Sequence, residues 1–345
     1  MLILEVEMIN LIKKITKPVS VSGFEHEVNG IIAEEISPYV DSVKIDALGN
    51  LIAYKKGSDE NAKKVMFAAH SDEIGFIVTF IEESGFIRFD KIGGINFAAA
   101  AFTHVVFENG VRGVLVPDAG TAPADYRADK FVVDIGAKNR REAERRVKIG
   151  STFALESNIV RISGSRVSGR PLDDRIGSVI LIEAAKKLAD REVKNDVYFC
   201  FTVQEEVGCR GSLTAAYGIM PDIGIALDVT GTGDTSGARP MAVKLGGGAA
   251  IKLKDASVIC DRALVEKMKK TAEEAGIKYQ LEILTAGGTD TSSMQKAGAG
   301  AHAGCISIPT RYIHSAVETV DLSDVEECVK LTAALCDADY TEVCK

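Results

Sequence analysis

The sequence predicts an α/β protein: a mostly parallel or mixed sheet with helices on both faces, interrupted by a small inserted β-rich domain. Three observations carry that expectation. Apolar strand-like runs alternate with helical segments through the second half of the chain, the pattern of strands covered on both faces by crossover helices. Between about Gly75 and Arg166 the alternation gives way to short β-rich pieces separated by turn residues. The 345 residues, 46% of them hydrophobic, suffice for a large core and for about two domains. The expected division is one α/β domain over residues 1–75 and 167–345, with a β-barrel-like domain inserted over 76–166.

At the start of the chain, MLILEVEMINLIKKI carries Glu5, Glu7, Lys13 and Lys14 among apolar residues and reads as an amphipathic helix. It lacks the basic start, long apolar run and small-residue cleavage site of a signal peptide. Ser22-Gly-Phe-Glu25 is a capping-box pattern that opens a helix toward Ile36. VKIDALGNLIAYKKG reads as a hairpin turning at Leu48-Gly-Asn, and KKVMFAAHSDEIGF as a short apolar strand with a polar end. The inserted segment supplies FIVTFI, FIRFD, HVVFE, RGVLVP and IVRI as strands and KNRREAERRV as a charged helix. Beyond it, RIGSVILIEAAKKLAD, RALVEKMKKTAEEAG and SDVEECVKLTAAL read as helices. NDVYFCFTV, DIGIALDV, KYQLEIL and GCISIP read as strands.

Composition excludes some partners. A net charge of −8 argues against a nucleic-acid surface and against anionic membranes. No run approaches the roughly 18 apolar residues of a membrane span. The seven cysteines are odd in number and scattered, with no C-x-x-C pair. That pattern implies reduced thiols in a cytoplasm rather than a disulfide framework or a thiolate zinc site.

Ligands of open α/β sheets sit beyond the carboxyl ends of the strands, so the residues just after each apolar run carry the chemistry. VMFAAH ends in His70-Ser-Asp72-Glu73, and YFCFTV leads into Gln204-Glu205-Glu206. IGIAL ends in Asp228, and CISIP is followed by Arg311-Tyr-Ile-His314. GRPLDDRIGS adds Asp173 and Asp174 at a helix start. Each piece alone has a plain reading: Glu-Glu as a helix's first turn, Asp-Asp as a cap, Asp228 as a turn residue. His26, His104 and His302 lack carboxylate company and read as structural. Together, the strand-end groups form a histidine and carboxylate set suited to Zn²⁺, Co²⁺ or Mn²⁺. A cation also explains how a buried strand can end in two adjacent negative charges. The set exceeds what one tetrahedral ion needs, and two ions bridged by a carboxylate would use it. One of Glu205 and Glu206 would then stay free to move protons. Asp72, two residues from His70, is placed to orient its ring.

AAHSDEIGF, GRPLDDRIG, QEEVGCRGS, ALDVT, GGTDTSSMQKAG and IPTRYIHSAVE, in this order, resemble metallopeptidase family 42. These are co-catalytic di-metal aminopeptidases, including the tetrahedral, deblocking and glutamyl ones; some members carry an endoglucanase label. SVSGFEHEV extends the resemblance to nearly the whole chain. It implies a di-zinc exopeptidase type of fold and hydrolysis of N-terminal residues from short peptides by a di-metal-activated water. His70 and Asp228 would bind one metal, His314 and Glu206 the other, with Asp173 bridging and Asp174 its non-ligand neighbour across an unusual peptide bond. Glu205 would be the general base and Asp72 would orient His70. Gly288, Thr289, Asp290 and Arg311 are the candidates for contact with substrate. The resemblance further implies two divalent ions per subunit, Zn or Co before Mn. It makes the α/β domain catalytic and the inserted domain the builder of a homo-oligomer, often a hollow tetrahedral dodecamer.

Other readings remain at this stage. Paired carboxylates could serve an endo-1,4-β-glucanase without metal, but the chain has no Trp and 6% aromatic residues, few for a sugar platform. A related metal-dependent amidohydrolase would use the same groups, and a non-catalytic scaffold would not need Glu205. Arg210, Lys244 and Arg311 could present positive charge to an acidic substrate residue or could be structural.

Overall fold

A computed structural model describes residues 2–345, with side chains from Glu5 onward. Helices α1 (Leu2–Ile15) and α2 (His26–Ile36) precede the hairpin β1 (Ser42–Ile45) and β2 (Leu51–Lys55) and then strand β3 (Lys64–His70). Next come β4 (Gly75–Ile81), β5 (Ile87–Ile92), α3 (Phe97–Ala100), β6 (Thr103–Phe107), β7 (Arg112–Pro117), β8 (Phe131–Asp134), α4 (Arg140–Ala143) and β9 (Thr152–Leu155). The chain returns through β10 (Val160–Ser163), β11 (Arg166–Ser168), α5 (Arg175–Lys187), β12 (Asp196–Thr202), α6 (Arg210–Ile219) and β13 (Ile223–Thr230). It ends with β14 (Ala249–Lys254), α7 (Arg262–Glu274), β15 (Tyr279–Ile283), α8 (Thr291–Gln295), β16 (His302–Arg311), β17 (Thr319–Asp321) and α9 (Leu322–Cys336).

Eleven strands form one sheet in the order β1-β2-β12-β3-β13-β16-β17-β11-β10, with β14 joined to β16 and β15 to β14. The four central strands β12, β3, β13 and β16 are parallel. The flanks pair antiparallel, apart from β14 with β15. The sheet is therefore mixed, one of the two expected forms, with its parallel strands at the centre. The physical reason is connection length: β1–β2 and β10–β11 are joined by short turns, which cannot return a strand in parallel.

Alternating side chains serve two cores, as period 2 requires. On β3, Val65, Phe67 and Ala69 pack with α1, α2, α5, α7 and α9 on one face. Met66 and Ala68 pack with α6 and α8 on the other. Strands β4, β5, β8, β7, β6 and β9 close into a six-stranded barrel with its own core.

Three local expectations change. IVRI, read with the inserted segment, becomes β10, which pairs with β11, and β11 pairs with β17 in the large sheet. KNRREAERRV yields only the short α4, capped by Asn139, because Ala143 and Val147 are the only residues it buries. Ser22 does not cap α2, whose N-cap is Glu25; its hydroxyl donates instead to Asp72.

Candidate metal centre

The parallel strands bring their carboxyl ends to one edge. His70 ends β3 directly opposite Thr202, which ends β12. Glu205 and Glu206 come after Thr202, beyond Val203 and Gln204. Asp228 lies near the end of β13, and His314 just beyond β16. Asp173 and Asp174, joined by a cis peptide bond, precede α5. Gln204, Cys209, Tyr312 and His314 all have left-handed backbone, with φ between 50 and 62°. Such a conformation costs a non-glycine residue of order 1 kcal/mol, so the surrounding structure must hold these positions in place.

Asp173 stands between the two histidines. Its Oδ1 is 3.0 Å from His70 Nε2 and its Oδ2 is 3.2 Å from His314 Nε2. Glu206 Oε1 is 3.1 Å from the same His314 nitrogen. Asp228 Oδ1 and Glu205 Oε2 each lie 3.9 Å from His70 Nε2. One ligand atom each from His70, Asp173 and Glu206 falls within 4.8 Å of the others, and the same holds for His70, Asp174 and Asp228. Asp174, expected beside the centre but outside it, therefore also faces it. Its Oδ1 accepts from the Gly177 N–H at 3.1 Å, capping α5, while its buried Oδ2 has no hydrogen-bond partner.

Asp72 meets the His70 ring, but through its main chain. The group opposite His70 Nδ1 is the main-chain carbonyl of Asp72, at 3.1 Å, with the carboxylate at 3.6 Å. A carbonyl only accepts, so that bond places the proton on Nδ1 and leaves Nε2 free as a ligand. The buried Asp72 carboxylate accepts from Ser22 Oγ at 2.6 Å and from the N–H groups of Glu205 and Glu206 at 3.0 and 3.2 Å. It holds the backbone of both glutamates.

Glu318 was missed. Fully buried, it accepts from the N–H of Leu172 at 2.6 Å and of Asp173 at 3.1 Å with one oxygen. The other oxygen accepts from the His314 N–H at 3.1 Å. It thus ties the backbone of Asp173 to that of His314. The signal was its place four residues after His314, inside IPTRYIHSAVE.

Electrostatics shows a cluster that needs positive charge. Burial pushes the Glu205, Glu206, Asp228 and Asp174 carboxyls up. Burial opposes the Asp173 charge too, but the His314 and His70 imidazoles hold that carboxyl below the usual range. Burial would push His314 down, yet Asp173 and Glu206 raise it to about 11. Protons on the imidazoles would supply the missing charge only partly, because the carboxylates outnumber them. The donor set fits divalent ions on a specific observation: Asp173 offers one oxygen toward each imidazole, and the buried Glu206 Oε1, though 3.1 Å from His314 Nε2, lacks the alignment of a hydrogen bond with it. Nitrogen and oxygen donors suit Zn, Co or Mn.

The cluster lines a cavity of about 440 Å³ shared with Cys209, Val229, Leu284 and Ile313. Gly94, from the loop after β5, closes one side: a Cβ there would lie 3.1 Å from His314 Nδ1. A larger cavity of about 610 Å³ between α1 and the barrel contains none of these ligands, so chemistry rather than size marks the site. Of the four substrate candidates, Gly288 is in the wall. Thr289 and Asp290 are buried behind it, with Asp290 accepting from Thr202 Oγ1 at 2.5 Å. Arg311 pairs with Asp234 at 2.6 Å, outside the wall. His302, read as lacking a carboxylate, has one: Asp261 Oδ2 lies 3.0 Å from its Nδ1.

Comparison with known proteins agrees with this geometry. A profile described as M42 glutamyl aminopeptidase matches residues 49–331. A provisionally named aminopeptidase of Acetivibrio thermocellus is 46% identical over 96% of this chain and 99% of its own length. The solved aminopeptidase APDkam598 from the archaeon Desulfurococcus kamchatkensis superposes with a TM-score of 0.93 at 35% identity, covering 96% of this chain and 95% of that one. The Pyrococcus horikoshii TET1 peptidase, which can assemble into a tetrahedron or a large octahedral shell, has a TM-score of 0.83 at 37% identity and covers 95% and 99%. With a family profile spanning most of its length and relatives this similar end to end, the chain belongs to the M42 glutamyl aminopeptidase family of peptide hydrolases.

Proposed function

We propose that this protein is a di-metal aminopeptidase that removes N-terminal residues from short peptides, with Glu205 as general base. The observation that carries the reading is Asp173, whose two oxygens face two different imidazoles beside a glutamate hydrogen-bonded to neither. In this assignment His70 and Asp228 would hold one ion, His314 and Glu206 the other, and Asp173 would serve both. The chemistry such a pair supplies when bound is Lewis-acid stabilisation of the negative charge that develops on the peptide oxygen.

The chain's own groups do the rest. The Asp72 carbonyl keeps the His70 proton on Nδ1. The Asp72 carboxylate fixes the Glu205–Glu206 backbone, so that one side chain turns to Asp173 and His314 and the other to the cavity. Glu205 takes the proton of the attacking water and gives it to the departing amine. The Glu205 side chain is only 12% exposed, which limits competition from bulk water for that proton.

Residues 1–75 and about 157–345 form the catalytic domain in this proposal and 76–156 the oligomerisation domain; the expected boundary at 166 moves back because β10 and β11 pair into the large sheet. The barrel exposes Phe102, Ile149, Phe80 and Phe86, large apolar groups suited to contact with further copies. A tetrahedral dodecamer is the assembly we propose. No described helix is long and apolar enough to cross a membrane. A cytoplasmic setting is part of the proposal and rests on the reduced cysteines the sequence implies. A glucanase reading is weaker, since a carboxylate pair acting alone leaves the His70–Asp173–His314 arrangement without a task.

The test is hydrolysis of aminoacyl-p-nitroanilides beside carboxymethylcellulose, after chelation and after restoring Co²⁺ or Zn²⁺. Chelation is expected to abolish peptide cleavage and either ion to restore it, with no sugar released. Chelator-resistant cellulose cleavage without peptide cleavage would overturn the reading.

A further inference from the structure

We infer that the N-terminal residue accepted by this site is uncharged, with an aliphatic or thioether side chain; the inference rests on the aminopeptidase reading. Apart from the cluster itself, the cavity wall consists of Cys209, Val229, Thr230, Leu284, Ile313 and glycine backbone. It contains no lysine or arginine.

The cations that could have supplied charge are elsewhere. Lys252 lies behind Thr230, wholly buried, with its Nζ 2.8 Å from Glu282 Oε1. Thr230 Oγ1 donates to that same oxygen at 2.7 Å, so the threonine seals the ion pair away from the cavity. Arg311 is engaged by Asp234. Arg210 is exposed and donates to Gln204 Oε1 at 3.3 Å. Neither Arg210 nor Lys244 reaches the wall.

An acidic side chain seated against this wall would lose hydration with no lysine or arginine to meet it, since the two ions would be engaged by the cluster and the scissile peptide. A basic side chain finds its only anions in the cluster, where the peptide's own amino group and scissile bond must lie. Val229, Leu284 and Ile313 instead offer apolar contact, and the glycines and the small Thr230 and Cys209 leave room for a branched or flexible chain.

The experiment compares kcat/KM for leucyl-, methionyl-, glutamyl- and lysyl-p-nitroanilide with the cation-loaded protein. Leucyl and methionyl substrates are expected to exceed both charged ones by at least about tenfold. A glutamyl or lysyl substrate cleaved as well as the leucyl one overturns the inference while leaving the aminopeptidase reading intact. No cleavage of any aminoacyl substrate, with ions restored, overturns the aminopeptidase reading itself. A second variant locates the wall: Leu284→Lys should raise the glutamyl-to-leucyl ratio by about tenfold by supplying the missing cation. An unchanged ratio in a variant that still cleaves the leucyl substrate would remove Leu284 from the specificity wall.

Discussion

The barrel and the large sheet bury their strands in different ways. The barrel closes on itself around phenylalanines: Phe153 stacks on Phe76 with ring centroids 4.9 Å apart and meets Phe107 at 4.7 Å and Phe89 at 5.4 Å. The sheet stays open and is covered by helices, with a core made mostly of Val, Ile, Leu and Ala. Closure pairs every strand with two neighbours and turns side chains inward, so a small barrel is filled by its own packing. An open sheet with parallel central strands aims several strand ends and a helix start at one edge. That difference decides where the ionisable groups of the centre come from. His70, Asp173, Glu205, Glu206, Asp228 and His314 belong to the sheet's strand ends and to the start of α5. The barrel contributes backbone: Gly93, whose Cβ would lie 3.3 Å from Glu206 Cβ, and Gly94 against His314.

Changes to each region can break this contrast or sharpen it. The largest effect is expected at Glu205. Glu205→Gln should lower kcat by about 10³-fold, in the range of general-base catalysis, while metal content by elemental analysis stays at two ions per chain. Loss of the ions with the activity would show that Glu205 is a ligand and the roles of the two glutamates are exchanged.

Phe153→Ala addresses the other region. Removing a ring that touches three others should destabilise the barrel by about 3–5 kcal/mol, read as a lower midpoint in urea. Ion binding in the folded protein should be unchanged, because no ligand sits on the barrel. A parallel loss of ion affinity would mean that the two regions are not separable.

The smallest effect probes their contact. Gly94→Ala places a methyl 3.1 Å from His314 Nδ1. It should weaken ion binding by about tenfold, the low end of what changes behind a ligand cost, with little change in the urea midpoint. A calorimetric titration of the metal-free protein with Zn²⁺ reads the affinity. Unchanged affinity would show that the barrel loop only walls the cavity.

Much of this was legible in residue order. Period-2 runs and crossover helices predicted the strands, the polar residues after the apolar runs pointed to His70, Asp228, His314 and the Glu205–Glu206 pair, and a helix start pointed to Asp173 and Asp174. The misreadings share one cause. Ser22 fits a capping box locally, but its hydroxyl meets Asp72 fifty residues away. Glu318 looks like any acid after a loop, yet one of its partners, Asp173, lies 145 residues earlier in the chain. Arg311 reads equally as a substrate contact or a structural group until the fold brings Asp234 beside it.

The sequence by itself determined what repeats locally: where strands and helices form, which face of each is apolar, and which chemical groups end the strands. Only the tertiary structure decided which oxygen faces which imidazole, that the Asp72 carboxylate grips two glutamate backbones, and that the cavity wall carries no cation. The reason is that local pattern reports the periods of the backbone, about 2 and 3.6 residues. Those decisions are contacts across tens to hundreds of residues, and they exist only once the central strands lie side by side.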